Sequence, residues 1–247
     1  MENHELLKRA EDLWSRAERS GCVTHTGFLT PAERYQLENW AKHTGCRLLF
    51  RGGGEDSERT AAFFLPDWME EDAFDPAEYI SAMKLTAYFG TPAHRDYMGA
   101  VLGMGIGREW LGDIQVQGDT AYLFCMPSVL RHLMSLEKVG RVSVKTEELP
   151  LSEVPAPKRE RKELSFSVMS LRLDAIVAGL FHLSRTEAAW QIEAGAVSLN
   201  YEECLKTDHT VKEGDILSLR GAGKGKVTGT GGTSRKGRLF VYAEIYR

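Results

Sequence analysis

No run of about eighteen apolar residues, the length a membrane-spanning helix needs, occurs in this 247-residue chain. A helical membrane span is therefore not expected. Cysteine is scarce. Cys22, Cys46, Cys125 and Cys204 are scattered along the chain without a CxxC pair, which excludes a disulfide framework and fits reduced thiols. The first residues, MENHELLKRAEDLW, are charged and have helical periodicity, unlike a secretion signal. The expected location is cytoplasmic.

A strong positive charge is also missing, since the formal net charge is −4. This argues against a general nucleic-acid binder, but the charge is unevenly spread. Residues 1–163 hold 20 Lys/Arg and 26 Asp/Glu, whereas residues 164–247 hold 11 and 9. From residue 218 onward the basic residues are Arg220, Lys224, Lys226, Arg235, Lys236, Arg238 and Arg247, against one acid, Glu244. A basic patch on an acidic molecule suggests a directed contact with an anionic partner.

Three chemical motifs come close and fall short. Cys22-x-x-His25 and His43-x-x-Cys46 have zinc-ligand spacing, but the pairs flank an expected helix that would have to bring its ends together. No metal is expected. His94-Arg95-Asp96 mimics a kinase catalytic loop, yet Val101 stands where asparagine is needed and no DFG follows. It reads as a helix start, with Asp96 favourable at the positive end and Arg95 a candidate RNA contact. Gly103-Met104-Gly105-Ile106-Gly107 follows a helix rather than a strand, so dinucleotide geometry fails and a helix stop remains.

The periodicities give an α+β chain in three parts. Residues 1–75 read as a small α+β unit: a helix with Leu6, Leu7, Leu13 and Trp14 on one face, a second helix opened by Thr30-Pro31 with Glu33, then two apolar runs, Cys46–Phe50 and Thr60–Leu65, joined by a flexible RGGGEDSER loop. Residues 76–150 follow β-α-β-β-α-β, the order of a ferredoxin-like, RNA-recognition-motif-like sandwich. Tyr122 and Phe124 share a strand face there. They either stack on bases or belong to the core; the missing aromatic-glycine signature favours the core. Residues 151–164, which follow Pro150, hold Pro155 and Pro157 and show no period; they read as a linker. Its Lys158, Arg159, Arg161 and Lys162 either touch phosphate or are solvated.

Residues 165–247 carry most of the expected function. Leu173, Ile176, Val177 and Leu180 form a helical stripe, placing Arg172 near the first turn with Asp174 as a possible partner. Ser184 and Glu187 form a capping box, so Arg185 opens the next helix. Helix starts expose free N–H groups and partial positive charge, and arginine there suits a phosphate. Strands are expected around Val197–Leu199, Leu217–Leu219 and Leu239–Tyr246. The glycine-rich basic stretch 221–238 reads as a flexible hairpin tip, either disordered or a mobile phosphate clamp; lysine and arginine interleaved with glycine favour the clamp.

The blocks RLD (172–174), SR (184–185), IEAGAVSLN (192–200) and EGDILSLRG (213–221) together resemble the S-four-type RNA-binding domain, with Leu199 where valine is commoner. The resemblance implies RNA-facing roles for Arg172, Ser184, Arg185, Asn200, Lys206, Arg220 and the following Lys224, Lys226, Arg235, Lys236 and Arg238. With TPAHRDYMGAVLGMGIGREWLGDI (91–114) and the chain length, the whole sequence resembles the YlmH family. That implies a bacterial, non-catalytic, cofactor-free RNA-binding protein, expected as a monomer. It would contact large-subunit ribosomal RNA and tRNA during rescue of stalled translation. Two other classes remain open. An RNA-modifying enzyme would need a catalytic domain, yet the RLD aspartate lies inside the binding domain and no methyl-donor loop follows a strand. A cell-division adaptor would use the acidic N-terminal region.

Overall fold

The computed structural model describes residues 2–54, 57–157, 161–234 and 236–246. The chain divides into two compact units, Met1–Pro157 and Lys158–Arg247. Lys158, Arg159, Arg235 and Arg247 lie outside the described residues.

The first unit opens with helix α1 (Glu2–Ser20), which buries Ala10 and Ala17. Strand β1 (Thr24–Leu29) leads to α2 (Pro31–Thr44). The α2 cap is reciprocal: the Glu33 backbone N–H donates to the Thr30 hydroxyl at 3.3 Å, and the Thr30 N–H donates to the Glu33 carboxylate at 2.7 Å. Both ends are thereby satisfied, as a capping box requires. Strands β2 (Leu48–Arg51) and β3 (Thr60–Phe64) pair antiparallel, and β1 adds to β3, giving the order β1-β3-β2. β1 has no sequence signal of its own, because THTGFL neither alternates nor runs apolar.

Next come β4 (Ser81–Ala87), α3 (His94–Gly103), β5 (Leu111–Gln117), β6 (Thr120–Cys125), α4 (Pro127–Leu133), β7 (Lys138–Val139) and β8 (Val142–Leu149). Their antiparallel sheet runs β5-β6-β4-β8-β7, a ferredoxin-like order with β7 added at one edge. One face buries Met83, Leu85, Ala121 and Leu123 against Tyr97 and Val101 of α3 and Leu130 and Leu133 of α4. The opposite face places Ala82 and Phe124 in one cluster with Phe28, Leu49 and Phe63 of the N-terminal layer. A continuous core therefore crosses the boundary read near residue 75. Phe124, fully buried, is a core residue and not a base platform.

The glycine-rich loop after β2 is part of this junction. A β-carbon on Gly53 would fall 2.1 Å from the Phe124 ring, so only glycine permits that approach. Arg59 ties the layers by side-chain bonds to backbone oxygens: Nε donates to Leu111 at 2.9 Å, and Nη2 donates to Phe28 and Arg108, each at 2.9 Å. The Asp113 carboxylate in turn accepts from the backbone N–H groups of Glu58 (2.7 Å) and Arg59 (3.1 Å).

The second unit begins with β9 (Arg161–Val168), so a strand starts inside the segment read as linker. Then follow α5 (Leu173–Phe181), α6 (Arg185–Glu193), β10 (Val197–Leu199), β11 (Glu202–Glu203), β12 (Ile216–Leu219), β13 (Gly223–Thr233) and β14 (Leu239–Tyr246). The sheet order is β11-β10-β12-β13-β14-β9. Leu173, Ile176, Val177 and Leu180 of α5 and Ala188 and Ile192 of α6 pack on its inner face with Val197, Leu217, Leu219, Val227, Val241 and Ala243. Each buried Leu, Ile or Val contributes roughly 1.5–3 kcal/mol, which locks α5 in place.

Within the stretch 221–238, strand β13 corrects the expectation of a flexible tip over Gly223–Thr233. It pairs with β14 from Lys224 to Thr233, and its first residues, Gly223–Lys226, also pair with β12. Glycine and lysine erase the apolar alternation that announces a strand, but pairing with two formed strands supplies the order. At Gly225 an added β-carbon would sit 3.0 Å from the Leu180 side chain and 3.1 Å from the Glu244 carbonyl oxygen, so a small residue fits where β13 passes over α5.

Candidate RNA-binding surface

The site is built around one carboxylate. Arg172 is the N-cap of α5, and Asp174 lies in its first turn. Leu173 N–H donates to the His209 carbonyl at 2.8 Å, Asp174 N–H to the Thr207 carbonyl at 3.0 Å, and Val211 N–H to the Leu171 carbonyl at 2.8 Å. Segment 207–211 thus pins the start of α5 and satisfies donors that a helix start leaves orphaned. On α6, the Glu187 N–H donates to the Ser184 hydroxyl at 3.2 Å and the Ser184 N–H donates to the Glu187 carboxylate at 2.9 Å, which presents Arg185 as the first helical residue.

The two arginines converge on Asp174. Arg172 Nε donates to Oδ1 at 3.3 Å and Nη2 to Oδ2 at 3.2 Å; Arg185 Nη2 donates to Oδ2 at 2.6 Å. The Asp174 side chain is 9% exposed, whereas those of Arg172 and Arg185 are 42% and 55% exposed. Burial alone would raise the Asp174 pKa, but hydrogen bonds and attraction from the two guanidinium groups hold it below the usual carboxylate value. The same hydrogen bond raises the Arg172 pKa. The cluster of two cations and one anion is net positive. One buried acceptor fixes both forks, and such guanidinium forks match phosphate geometry. Ordering them in advance lowers the entropy cost of binding. The sequence suggested the pairing with Arg172; the link to Arg185, 11 residues further along, depends on how α5 meets α6 and carries no local signal.

The other expected contacts fall in different places. Lys206 is exposed and adjoins the segment that pins α5, its carbonyl accepting from His209 N–H at 3.2 Å. Asn200 is half-buried and organises a turn: Nδ2 donates to Asp215 Oδ1 at 2.9 Å, and Oδ1 accepts from Ile216 N–H at 3.0 Å. With Tyr201 it forms the tight β10–β11 link, at φ of 50° and 70°. Its amide thus shapes the loop. Arg220 is exposed at the end of β12.

Lys224 and Lys226 alternate with buried Gly225 and Val227, so they lie on the sheet face away from the helices. Lys224 Nζ stands 5.8 Å and 5.9 Å from the ring centroids of Tyr201 and Tyr246. Lys236 is exposed near the β13–β14 turn, and Arg238 Nη2 donates to the Ser167 carbonyl at 2.6 Å. These cations are set on an ordered hairpin and sheet face, not on a mobile strap. Arg235 lies outside the described residues.

The zinc-spaced residues are otherwise engaged. His25 packs against the rings of Phe63 and Tyr79, His43 Nδ1 lies 2.6 Å from the Asn39 carbonyl, and burial pushes the Cys46 thiol up to about 12. Among the described residues no group of three His, Cys, Asp or Glu is placed to hold a metal ion, and no helix is long and apolar enough to cross a membrane.

Comparison with known proteins bears on both units. Residues 76–153 match the family described as "Putative RNA-binding domain in YlmH", and residues 171–217 match the S4 domain family. The chain is 28% identical over 221 residues to the Ribosome-associated protein quality control protein P2 of Bacillus subtilis (strain 168), covering 89% of this chain and 86% of that protein. A solved structure, the cell division protein ylmH from Streptococcus pneumoniae, superposes with a TM-score of 0.52 at 25% identity, over 62% of this chain and 94% of that one. An S4 fold bearing a cationic helix-start site, in one chain with a ferredoxin-like domain of an RNA-binding family, defines an RNA-binding protein. The two family models, the relative and the structure point the same way: the chain is similar to proteins of the YlmH family.

Proposed function

We propose that this protein is a non-catalytic factor that grips structured RNA of the large ribosomal subunit, together with tRNA, and acts on stalled ribosomes in the cytoplasm. The observation that carries the reading is the pair of half-exposed arginines held at two helix starts by the buried carboxylate of Asp174. A-form RNA is recognised mainly through phosphates, shape and 2′-hydroxyls, and two oriented forks suit neighbouring phosphates. The Bacillus subtilis relative is named for ribosome-associated quality control, which points to the same partner. Lys206 and Arg220 extend the contact, and Lys224, Lys226, Lys236 and Arg238 offer a further phosphate-facing surface on the sheet.

The test is co-sedimentation of the full chain with ribosomal subunits at several salt concentrations. Wild type should travel with large subunits and dissociate steeply as salt rises. Arg172→Ala combined with Arg185→Ala should remain in the supernatant. Unchanged co-sedimentation of the double variant contradicts the assignment. The Streptococcus pneumoniae protein is named for cell division, which raises a second reading, a division adaptor. Division proteins retained by the chain after RNase treatment, without ribosomes, would support it.

A further inference from the structure

The ferredoxin-like sheet has a second face, and the N-terminal layer covers only part of it. Ala82 and Phe124 lie beneath that layer. Beyond them the strand register sets two rows of side chains on the same face. The first row is Gln115, Tyr122, Lys84 and Glu147; the second is Gln117, Thr120, Thr86 and Lys145. All but Lys145, which is exposed, are half-buried. Tyr88, 70% exposed, continues the face from the end of β4. Lys145 donates to Glu147 at 2.9 Å, leaving Lys84 as the second cation of the rows.

Gln115 and Gln117 distinguish this face from an ordinary solvated sheet. Gln115 Oε1 and Gln117 Nε2 are shielded from solvent and, among the described residues, find no hydrogen-bond partner. An unpaired shielded polar group destabilises a fold, and each case calls for an explanation. One is an acceptor and one a donor, two residues apart on an edge strand, next to the Tyr122 ring. A nucleobase offers the complement: a flat face for the ring, edge donors and acceptors for amides, and a phosphate for lysine.

We propose that this uncovered half of the central sheet is a second RNA site, which takes an unpaired nucleotide by stacking on Tyr122, base-edge bonds to the Gln115 and Gln117 amides as these turn outward, and phosphate contact with Lys84. It rests on the RNA-binding reading of the central domain and is independent of the Asp174 centre. The chain then reads duplex with one unit and unpaired bases with the other.

The experiment measures binding of the full chain to fluorescent single-stranded homo-oligoribonucleotides of each base, alongside an RNA duplex, with Tm recorded for every variant. Wild type should discriminate among the four homopolymers. Gln115→Leu with Gln117→Leu should flatten that preference and weaken single-strand binding about tenfold, the scale of one lost base contact, while Tm holds or rises, because unpaired polar atoms are removed. Tyr122→Ala should lose a similar factor, and Tyr122→Phe should keep near-wild-type affinity. Arg172→Ala with Arg185→Ala should lose the duplex and keep the single strand. Wild-type single-strand affinity in the glutamine and Tyr122→Ala variants overturns the proposal, and so does a lowered Tm in the glutamine variant, which would show that those amides support the fold. Retention of the duplex by the arginine variant would instead sink the reading of the C-terminal site alone.

Discussion

Arginine does opposite work in the two units. In the first, Arg59 reaches into the layer junction and gives its guanidinium hydrogens to three backbone carbonyls. Burial and the nearby Arg108 lower its pKa, the mark of a cation spent on structure. In the second, Arg172 and Arg185 share one carboxylate and stay near half exposed. A guanidinium surrounded by carbonyls holds a fold; one steered by a buried carboxylate at a helix mouth is aimed outward. Charge counts alone do not separate the two, since the decisive difference is which acceptors each cation meets.

Substitution should make this contrast measurable. The largest effect on stability is expected for Arg59→Met. It leaves the carbonyls of Phe28, Arg108 and Leu111 without their donor, so unfolding free energy should fall by about 3 kcal/mol, with RNA affinity of the surviving folded protein near wild type. Denaturant titration and RNA anisotropy check both halves. Next, Asp174→Ala should destabilise the second unit by roughly 1–3 kcal/mol, because two guanidinium groups lose their common acceptor. It should also weaken RNA binding despite making the chain more positive. Stronger binding would mean that Asp174 restrains the arginines rather than presenting them.

The same carboxylate predicts a pH response. Its folded pKa lies below the ordinary value of 3.8, so its stabilising contribution is present above that value. It is lost as pH falls through the lowered folded pKa. Acid unfolding of wild type should therefore carry a component below the ordinary Asp range that Asp174→Asn removes. Glu187, whose pKa is lowered by the Ser184 cap, adds in the same direction. The smallest effect concerns thiols. Burial raises Cys46 and Cys125 to about 12, so neither should react with a maleimide at neutral pH in the native state, whereas exposed Cys22 should.

Local chemistry written in the sequence was legible, and surfaces made by distant segments were not. The Thr30–Glu33 and Ser184–Glu187 caps and the strand Leu239–Tyr246 could be read directly, because their signals lie within a few residues. The open or covered state of a strand face could not. Tyr122 and Phe124 look alike in the sequence, yet the N-terminal layer buries one and leaves the other beside two glutamines that, among the described residues, each have one amide atom without a partner. β13 was hidden for the converse reason: its order comes from its neighbours, not from its own glycines and lysines. In the candidate site both arginines and Ser184 were legible as helix-start residues, while the role of Asn200 in shaping its turn and the double use of Asp174 required the packing of α5, α6 and segment 207–211.

The most direct test of the central claim is the salt dependence of affinity for ribosomal RNA, measured for wild type and for Arg172→Ala with Arg185→Ala. Two aimed phosphate contacts predict that the double variant loses tenfold or more in affinity, by an estimate of about 1 kcal/mol per contact, and that its log–log salt slope shrinks by about 2. Equal slopes and equal affinities would contradict it.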